Sequence, residues 1–258
     1  MRFLSIGAHP DDCEILFGGT AAKLSSAGHA VKFLAVTDGS AGHHQHQGAE
    51  LARIRAAEAA EAARRLGITA SEILPNQDGE LLPTLAVRQQ IVQQIREWRA
   101  DVVLTHRPFD YHPDHRYTSQ LVADSAYLVQ VPSVCPDAPP LSRNPIYLYF
   151  EDTFTSPLPF RPDAVVPIDD VWQTKICGMD AHRSQFYEWL PWIDGEQDQV
   201  PAGTDERRAW LERKWTRAIS DTVRAKLNDP SVVHAEAFEV CEYGSHPSPE
   251  QLAQLFPR

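Results

Sequence analysis

Two short segments of the 258-residue chain concentrate side chains that bind metal ions and move protons. The first reads Ala-His-Pro-Asp-Asp at residues 8–12, and the second reads His-Pro-Asp-His at residues 112–115. Catalytic zinc typically takes three protein ligands and leaves one position for water. His9, Asp12 and His115 would supply two imidazoles and one carboxylate, which is a common ligand set in hydrolases.

Two further side chains in these segments could carry the proton transfers of a hydrolysis. Asp11 would lie beside the metal as an unligated carboxylate, the type of group that takes a proton from water. His112 would donate a hydrogen bond or a proton to the reacting carbonyl or the leaving amine. The alternative is that His9 and Asp11 cap a helix while His112 and Asp114 belong to a polar loop. Two such segments at one edge of a sheet favour a site.

The surrounding elements must bring the two segments together. Residues 2–8 are an apolar run that predicts a buried strand, followed by a helix over about 14–28 and a strand over 30–37. Later helices are predicted over 48–66, 84–99 and 115–129, with strands near 72–74 and 101–105. This alternation predicts an α/β fold, namely a parallel sheet with helices on both faces. Ligands of such sheets bind beyond the carboxyl ends of the strands, where both segments fall.

The rest of the chain predicts a C-terminal elaboration of the same domain. From about residue 130 the sequence becomes irregular and proline-rich, as at 136–140 and 157–162. A helix near 169–190, a charged helix near 204–227 and a strand around 232–240 follow. With no repeat and no clear linker, residues 1–258 are interpreted as one domain, with a core over about 1–190 and the elaboration over about 203–242.

Composition excludes several classes of partner. The net charge of −11 argues against nucleic acid or an anionic membrane as the main partner, because both require a basic face. No apolar run approaches the roughly 20 residues that span a bilayer, and a cytoplasmic location is the default expectation. The four cysteines are widely separated, which disfavours a disulfide framework. A homo-oligomer is compatible with the sequence.

The paired histidine motifs resemble those of the LmbE/PIG-L family of zinc-dependent deacetylases. The resemblance extends along much of the chain. It includes Gly18-Gly19-Thr20, Thr37-Asp38-Gly39, Arg55-Ala56-Ala57-Glu58 leading to Leu66-Gly67, Asp78-Gly79, Lys175 with His182-Arg183-Ser184-Gln185, and Ala235-Glu236-Ala237-Phe238. It implies a Rossmann-like fold and hydrolysis of the N-acetyl group of an N-acetylglucosamine-like amino sugar or its conjugate.

The resemblance also implies one zinc ion per chain on His9, Asp12 and His115, with another divalent metal as a compatible occupant. Asp11 would be the general base, and protonated His112 would stabilise the oxyanion together with the metal.

Three more roles follow from the same resemblance. Asp114 would hold and tune the His112 imidazole and thereby raise its pKa. Arg55 and Asp78 fall at positions that would touch the substrate. Two alternatives use the same residues: an amidase acting on a thiol conjugate or another N-acyl small molecule, and a relative that binds sugar or metal without turnover.

One loop departs from the family pattern. Residues 40–48 are rich in histidine, with His43-His44-Gln45-His46 at their centre. A second metal site or a substrate lid would explain this composition. A solvated polar loop is the favoured interpretation, because loops commonly carry polar residues that bind nothing.

Overall fold

A single twisted sheet organises the chain. The computed structural model describes residues 1–216 and 218–256. In that part of the chain the strands are β1 (Arg2–Gly7), β2 (Ala30–Thr37), β3 (Ala70–Asn76), β4 (Val102–Thr105), β5 (Ile146–Phe150), β6 (Ala164–Pro167) and β7 (Ala235–Gly244). They form one sheet in the order β3-β2-β1-β4-β5-β7-β6.

The helices connect and cover these strands. They are α1 (Asp12–Ser26), α2 (Gly48–Leu66), α3 (Leu85–Trp98), α4 (Pro113–Leu128), α5 (Trp172–Met179), α6 (Leu190–Ile193), α7 (Thr204–Trp215), α8 (Asp221–Leu227) and α9 (Pro249–Leu255). The predicted α2 agrees with the structure, since its Ala-, Glu- and Arg-rich repeat starts after Gln47 and stops at Gly67 in the left-handed conformation.

Both faces of the sheet are buried, as the sequence predicts. Successive residues of β1 point to opposite faces, so Phe3 packs in a cluster with Phe17 of α1 and Ile176 of α5. Leu4 instead packs in a second cluster that includes Ile91 of α3. The prediction of an α/β fold with helices on both faces is therefore confirmed.

The C-terminal half differs from the sequence-based prediction. The sheet is parallel from β3 to β5, but β7 runs antiparallel to both β5 and β6. The strands β5 and β6 were not predicted, because each is only four or five residues long and is flanked by proline-rich loops. The predicted helix near 169–190 is broken into α5 and a π-helical turn at Ser184–Trp189, and the predicted helix near 204–227 is two helices, α7 and α8.

A buried ion pair between Lys175 and Glu236 connects the C-terminal half of the chain to α1. The Glu236 carboxylate on β7 accepts hydrogen bonds from the backbone N–H groups of Gly19 and Thr20 in α1, at 2.9 and 2.8 Å. Lys175 on α5 donates to the same carboxylate at 2.6 Å and to the backbone oxygen of Ile15 at 2.7 Å. These contacts explain physically why the Gly-Gly-Thr, Lys and Ala-Glu-Ala-Phe segments occur together.

Candidate active site

The two histidine motifs meet at the carboxyl edge of the sheet. β1 and β4 are neighbouring parallel strands, with Ile6 opposite Thr105, so both chains leave the sheet at the same edge. His9 lies between β1 and α1, and His115 lies in the first turn of α4. As a result, a nitrogen of His9 lies 3.2 Å from a nitrogen of His115, although 106 residues separate them in the chain.

The three predicted ligands present their donor atoms to one another. His9 Nδ1 lies 3.2 Å from His115 Nε2 and 3.5 Å from Asp12 Oδ2, and Asp12 Oδ1 lies 3.5 Å from His115 Nε2. In a tetrahedral zinc site with bonds of about 2.0–2.2 Å, neighbouring donor atoms are about 3.3–3.6 Å apart. The two histidine nitrogens are at about this distance, and each faces a different oxygen of Asp12, so the largely buried donors fit a cation in chemistry. Three groups of metal-ligating side chains occur here among the described residues: His9, His112 and His115; Asp12, His106 and His115; and His9, Asp78 and Asp114. The predicted ligands are divided between the first two groups.

Two carboxylates lie behind the His9 ring. Its Nε2 atom is 3.2 Å from Asp78 Oδ1 and 3.3 Å from Asp114 Oδ2. Burial alone would lower the pKa of His9, but Asp114, Asp12 and Asp78 raise it well above its ordinary value. The two carboxylates accommodate a proton on Nε2. A bound metal ion would take the place of the second imidazolium proton, on Nδ1, which faces Asp12 and His115.

Asp114 does not make the predicted contact with His112. Its Oδ2 atom instead faces His9 and accepts the backbone N–H of Gly79 at 2.8 Å. The structure thus differs from the expectation in the partner of the carboxylate, which is His9, whereas the Asp114 backbone N–H contacts the His112 ring and the Asp114 charge acts to raise the pKa of His112, as predicted.

The Asp78 carboxylate is also engaged within the protein. Oδ1 faces His9, while Oδ2 accepts the backbone N–H groups of Ala41 and Gly42 at 3.1 and 3.2 Å. These contacts place Asp78 behind a candidate ligand, and its contact with the substrate stays a prediction.

Asp11 is a buried carboxylate with an unusual backbone conformation and a raised pKa. It stands at the N-cap position of α1, yet its side chain makes no capping hydrogen bond, so the alternative of a purely structural cap fails here. Its backbone φ of 148° lies in a region that L-residues rarely adopt. Burial, together with the charge of Asp12, raises the pKa of Asp11 to about 7. The adjacent Asp12 differs: burial would raise its pKa, but His115 and His106 lower it well below the ordinary value.

His112 is a neutral hydrogen-bond donor in this environment. Its Nδ1 atom caps α4 by accepting the backbone N–H of Asp114 at 3.2 Å. A nitrogen that accepts a hydrogen bond carries no proton, so the neutral ring holds its proton on Nε2. Burial and the neighbouring His9 and His115 lower the pKa of His112, which corrects the prediction that the ring would be protonated.

Two residues near the ligands were missed by sequence reasoning. His106 is buried, its ring stacks on the His115 ring with centroids 4.1 Å apart, and its Nε2 atom lies 3.2 Å from Asp12 Oδ2. Asp110 Oδ1 lies 3.1 Å from His115 Nδ1. Both residues could have been found from the sequence, because they lie between the end of β4 and the second histidine motif, where metal-site residues are expected.

The remaining predicted residue, Arg55, lies inside the site. It is 3% exposed, and its Nη2 atom donates to the backbone oxygen of Gly42 at 2.9 Å. Its Nε atom is buried and has no hydrogen-bond partner within the part of the chain that the structure describes, and its charge lowers the pKa of nearby Asp11. The predicted contact of Arg55 with the substrate stays a prediction.

The histidine-rich loop is partly packed: His43 is buried, whereas Gln45, Gln47 and Gly48 are exposed, as expected for a solvated loop. His43 Nδ1 accepts the backbone N–H groups of Gln45 and His46, and His43 Nε2 contacts Glu188 Oε2 at 3.1 Å. His44 stacks on Trp192, with ring centroids 5.1 Å apart. The nitrogens of His43 are thus occupied, and the loop does not contribute to any of the three ligand groups found among the described residues.

Comparisons with known proteins agree with this site. The sequence profile of the family described as GlcNAc-PI de-N-acetylase (PIG-L) matches residues 4–126, which include both histidine motifs. A curated relative, the diacetylchitobiose deacetylase of Thermococcus kodakarensis, is 34% identical over 207 residues, covering 74% of this chain and 74% of that protein. The chain belongs to the PIG-L family. The family membership that the paired histidine motifs predict is therefore confirmed.

Solved structures extend the similarity of this PIG-L member beyond the matched segment. The N,N'-diacetylchitobiose deacetylase of Pyrococcus horikoshii, solved with an inhibitor, superimposes with a TM-score of 0.72 at 28% identity, over 93% of this chain and 83% of that one. The conserved protein TT1542 of Thermus thermophilus gives a TM-score of 0.65 at 26% identity, over 96% and 97%.

Family membership confirms the predicted class of reaction. This PIG-L protein is an amide hydrolase of the N-deacetylase class. No helix within residues 1–216 and 218–256 combines the length and the apolar character needed to cross a membrane.

Proposed function

We propose that the chain is a zinc-dependent N-deacetylase that hydrolyses the acetamide of an N-acetylglucosamine-like sugar or its conjugate. The observation that carries the proposal is the convergence of His9, Asp12 and His115, each within 3.5 Å of the other two, beside the buried Asp11. One zinc ion per chain would be held by those three side chains, and another divalent cation could replace it. The substrate is a small molecule.

The bound ion would supply positive charge that polarises the substrate carbonyl and makes water more acidic. Asp11 accepts a proton from the attacking water, a role for which its raised pKa suits it near neutral pH. His112 donates the proton on Nε2 as a hydrogen bond to the carbonyl oxygen, which becomes negative during attack. Return of the proton from Asp11 to the nitrogen breaks the C–N bond and releases acetate and a free amine.

The substrate side of the site is polar and includes Arg55. We assign Arg55 to a hydroxyl or carbonyl oxygen of the sugar, which the guanidinium would reach by a shift of the side chain, because its Nε atom is buried in this structure. The Asp78 carboxylate lies between the two parts of the site. One of its oxygens contacts His9, and the other accepts the backbone N–H groups of Ala41 and Gly42. A bound sugar and the metal centre would therefore share a supporting residue.

The test measures acetate and free amine released from N-acetylglucosamine and N,N'-diacetylchitobiose by the full chain. Activity should disappear after treatment with a chelator and return on addition of about one equivalent of zinc per chain. Asp11→Asn serves as the control for contaminating enzymes. Hydrolysis of an N-acetyl thiol conjugate in preference to both sugars, or zinc binding without any turnover, would overturn the proposal.

A further inference from the structure

Asp110 occupies a position next to the His115 ring that the proposed mechanism does not use. Its Oδ1 atom lies 3.1 Å from His115 Nδ1, and its carboxyl group is 9% exposed. The same carboxylate accepts the backbone N–H of His112 at 2.9 Å.

The His115 ring has few other constraints on its orientation. Nδ1 is buried and, within the described residues, has no well-aligned hydrogen bond, which leaves Asp110 as the acceptor facing it. His106 covers one ring face, with centroids 4.1 Å apart and planes 10° apart. On the opposite edge, Nε2 faces His9 and Asp12.

We propose that Asp110 is a positioning residue that holds His115 with its Nδ1 proton outward and its Nε2 lone pair toward the metal. A ligating histidine almost always donates its other N–H group to a carboxylate, carbonyl or water, which fixes the tautomer and raises the basicity of the ligand. The inference rests on the proposed zinc site. It extends to the second histidine the arrangement that Asp78 and Asp114 provide for His9.

A purely structural role for Asp110 makes a different prediction. The hydrogen bond from His112 shapes the loop before α4, and losing it would disturb the site whatever the charge of the side chain. Asp110→Asn keeps an oxygen that can accept both N–H groups but removes the negative charge. Asp110→Ala removes both. The difference between the two variants therefore separates electrostatic support of His115 from loop shaping.

The experiment measures zinc affinity by competition with a chromophoric chelator for the full-length wild-type chain and its variants. Asp110→Ala should weaken zinc binding by about 10–100-fold, and Asp110→Asn by about 10-fold. Asp229→Ala is the matched control, because Asp229 accepts a backbone N–H in an exposed turn of the same kind and should have no effect. Circular dichroism of the metal-free proteins establishes that each variant folds.

Two results would overturn the inference. One is wild-type zinc affinity in Asp110→Ala, and the other is a loss in Asp110→Ala with wild-type affinity in Asp110→Asn. If Asp110→Ala does not fold, Asp110→Asn decides alone. A wild-type chain that binds no zinc would overturn the proposed function instead, so the two failures are distinguishable.

Discussion

The Nε2 atom of His9 lies 3.3 Å from Oδ2 of Asp114, across 105 residues of sequence. Because the Asp114 carboxylate is 1% exposed and also accepts a backbone N–H, it is a rigid partner for the ring. Asp78 shares the same nitrogen. Because of this contact, we assign the Asp114 carboxylate to the support of His9, a candidate metal ligand.

Asp114→Asn should therefore weaken zinc binding by about 10–100-fold, the usual effect of removing a carboxylate that supports a ligating histidine. Asp78→Asn should act in the same direction, since both carboxylates face one nitrogen. Equilibrium dialysis against a zinc buffer measures the effect, with Asp229→Asn as a control. Unchanged zinc affinity in Asp114→Asn, together with a shifted pH profile of activity, would return Asp114 to the role of tuning His112.

Mutations of the adjacent Asp11 and Asp12 should have different effects on zinc content and on turnover. Asp11→Asn is expected to retain zinc and lose most turnover, because the base is removed while all three donor side chains remain. Asp12→Asn is expected to lose zinc first, since Asp12 contributes the only carboxylate of the set. Metal analysis and acetate release on each purified variant check both expectations, and the opposite pattern would reverse the two roles.

The burial of Asp11 predicts a pH-dependent cost to the stability of the metal-free protein. Its pKa is raised in the fold from 3.8 to about 7, so in this range the folded state binds a proton that the unfolded state has lost. Stability therefore falls as pH rises from about 4 to about 7. Each pKa unit corresponds to about 1.4 kcal/mol.

Metal-free Asp11→Asn lacks this penalty. It should be more stable than the metal-free wild type at pH 8, by a few kcal/mol, and similar to it at pH 4. Urea unfolding in the presence of chelator at the two pH values measures the difference. An equal difference at both pH values would show that the backbone at φ 148°, rather than ionisation, is responsible.

The buried pair of Glu236 and Lys175 should be important for folding. Glu236→Ala would leave a buried ammonium group and two backbone N–H groups of α1 without their partner, which typically costs about 3–5 kcal/mol. Chemical denaturation measures the loss. Arg64→Ala breaks only an exposed pair with Glu61 and should leave the denaturation midpoint unchanged. Equal midpoints for the Glu236 variant and the wild type would contradict the assignment.

The histidine-rich loop should not add a second metal ion. Replacing His44 and His46 with Ala should leave the zinc stoichiometry at one per chain, because the loop histidines pack against Trp192 or contact Glu50 and Glu188. Plasma emission measurements on the double variant test this. A fall in the zinc content of the double variant would place a metal in the loop.

Much of the first half of the molecule could be predicted because its signals are local. The apolar run of β1, the helical repeat of α2 and the turn residues between them are each specified within a few neighbours in sequence. The types of the candidate metal ligands could also be predicted, because they lie in two short motifs, residues 8–12 and 112–115, that follow strands. The short strands β5 and β6 carried too little periodicity to be separated from proline-rich loops.

Only the tertiary structure decided which groups support each ligand. Whether the carboxylate of Asp114 faces His9 or His112 depends on the rotation of α4 about its axis and on the path of the loop at Gly79, and neither leaves a periodic trace in sequence. The pairing of Asp110 with His115 depends likewise on side-chain direction at the start of a helix. Residue types and motif spacing therefore specify the chemistry of this site, whereas the hydrogen-bonded pairs that orient it arise from packing between distant segments.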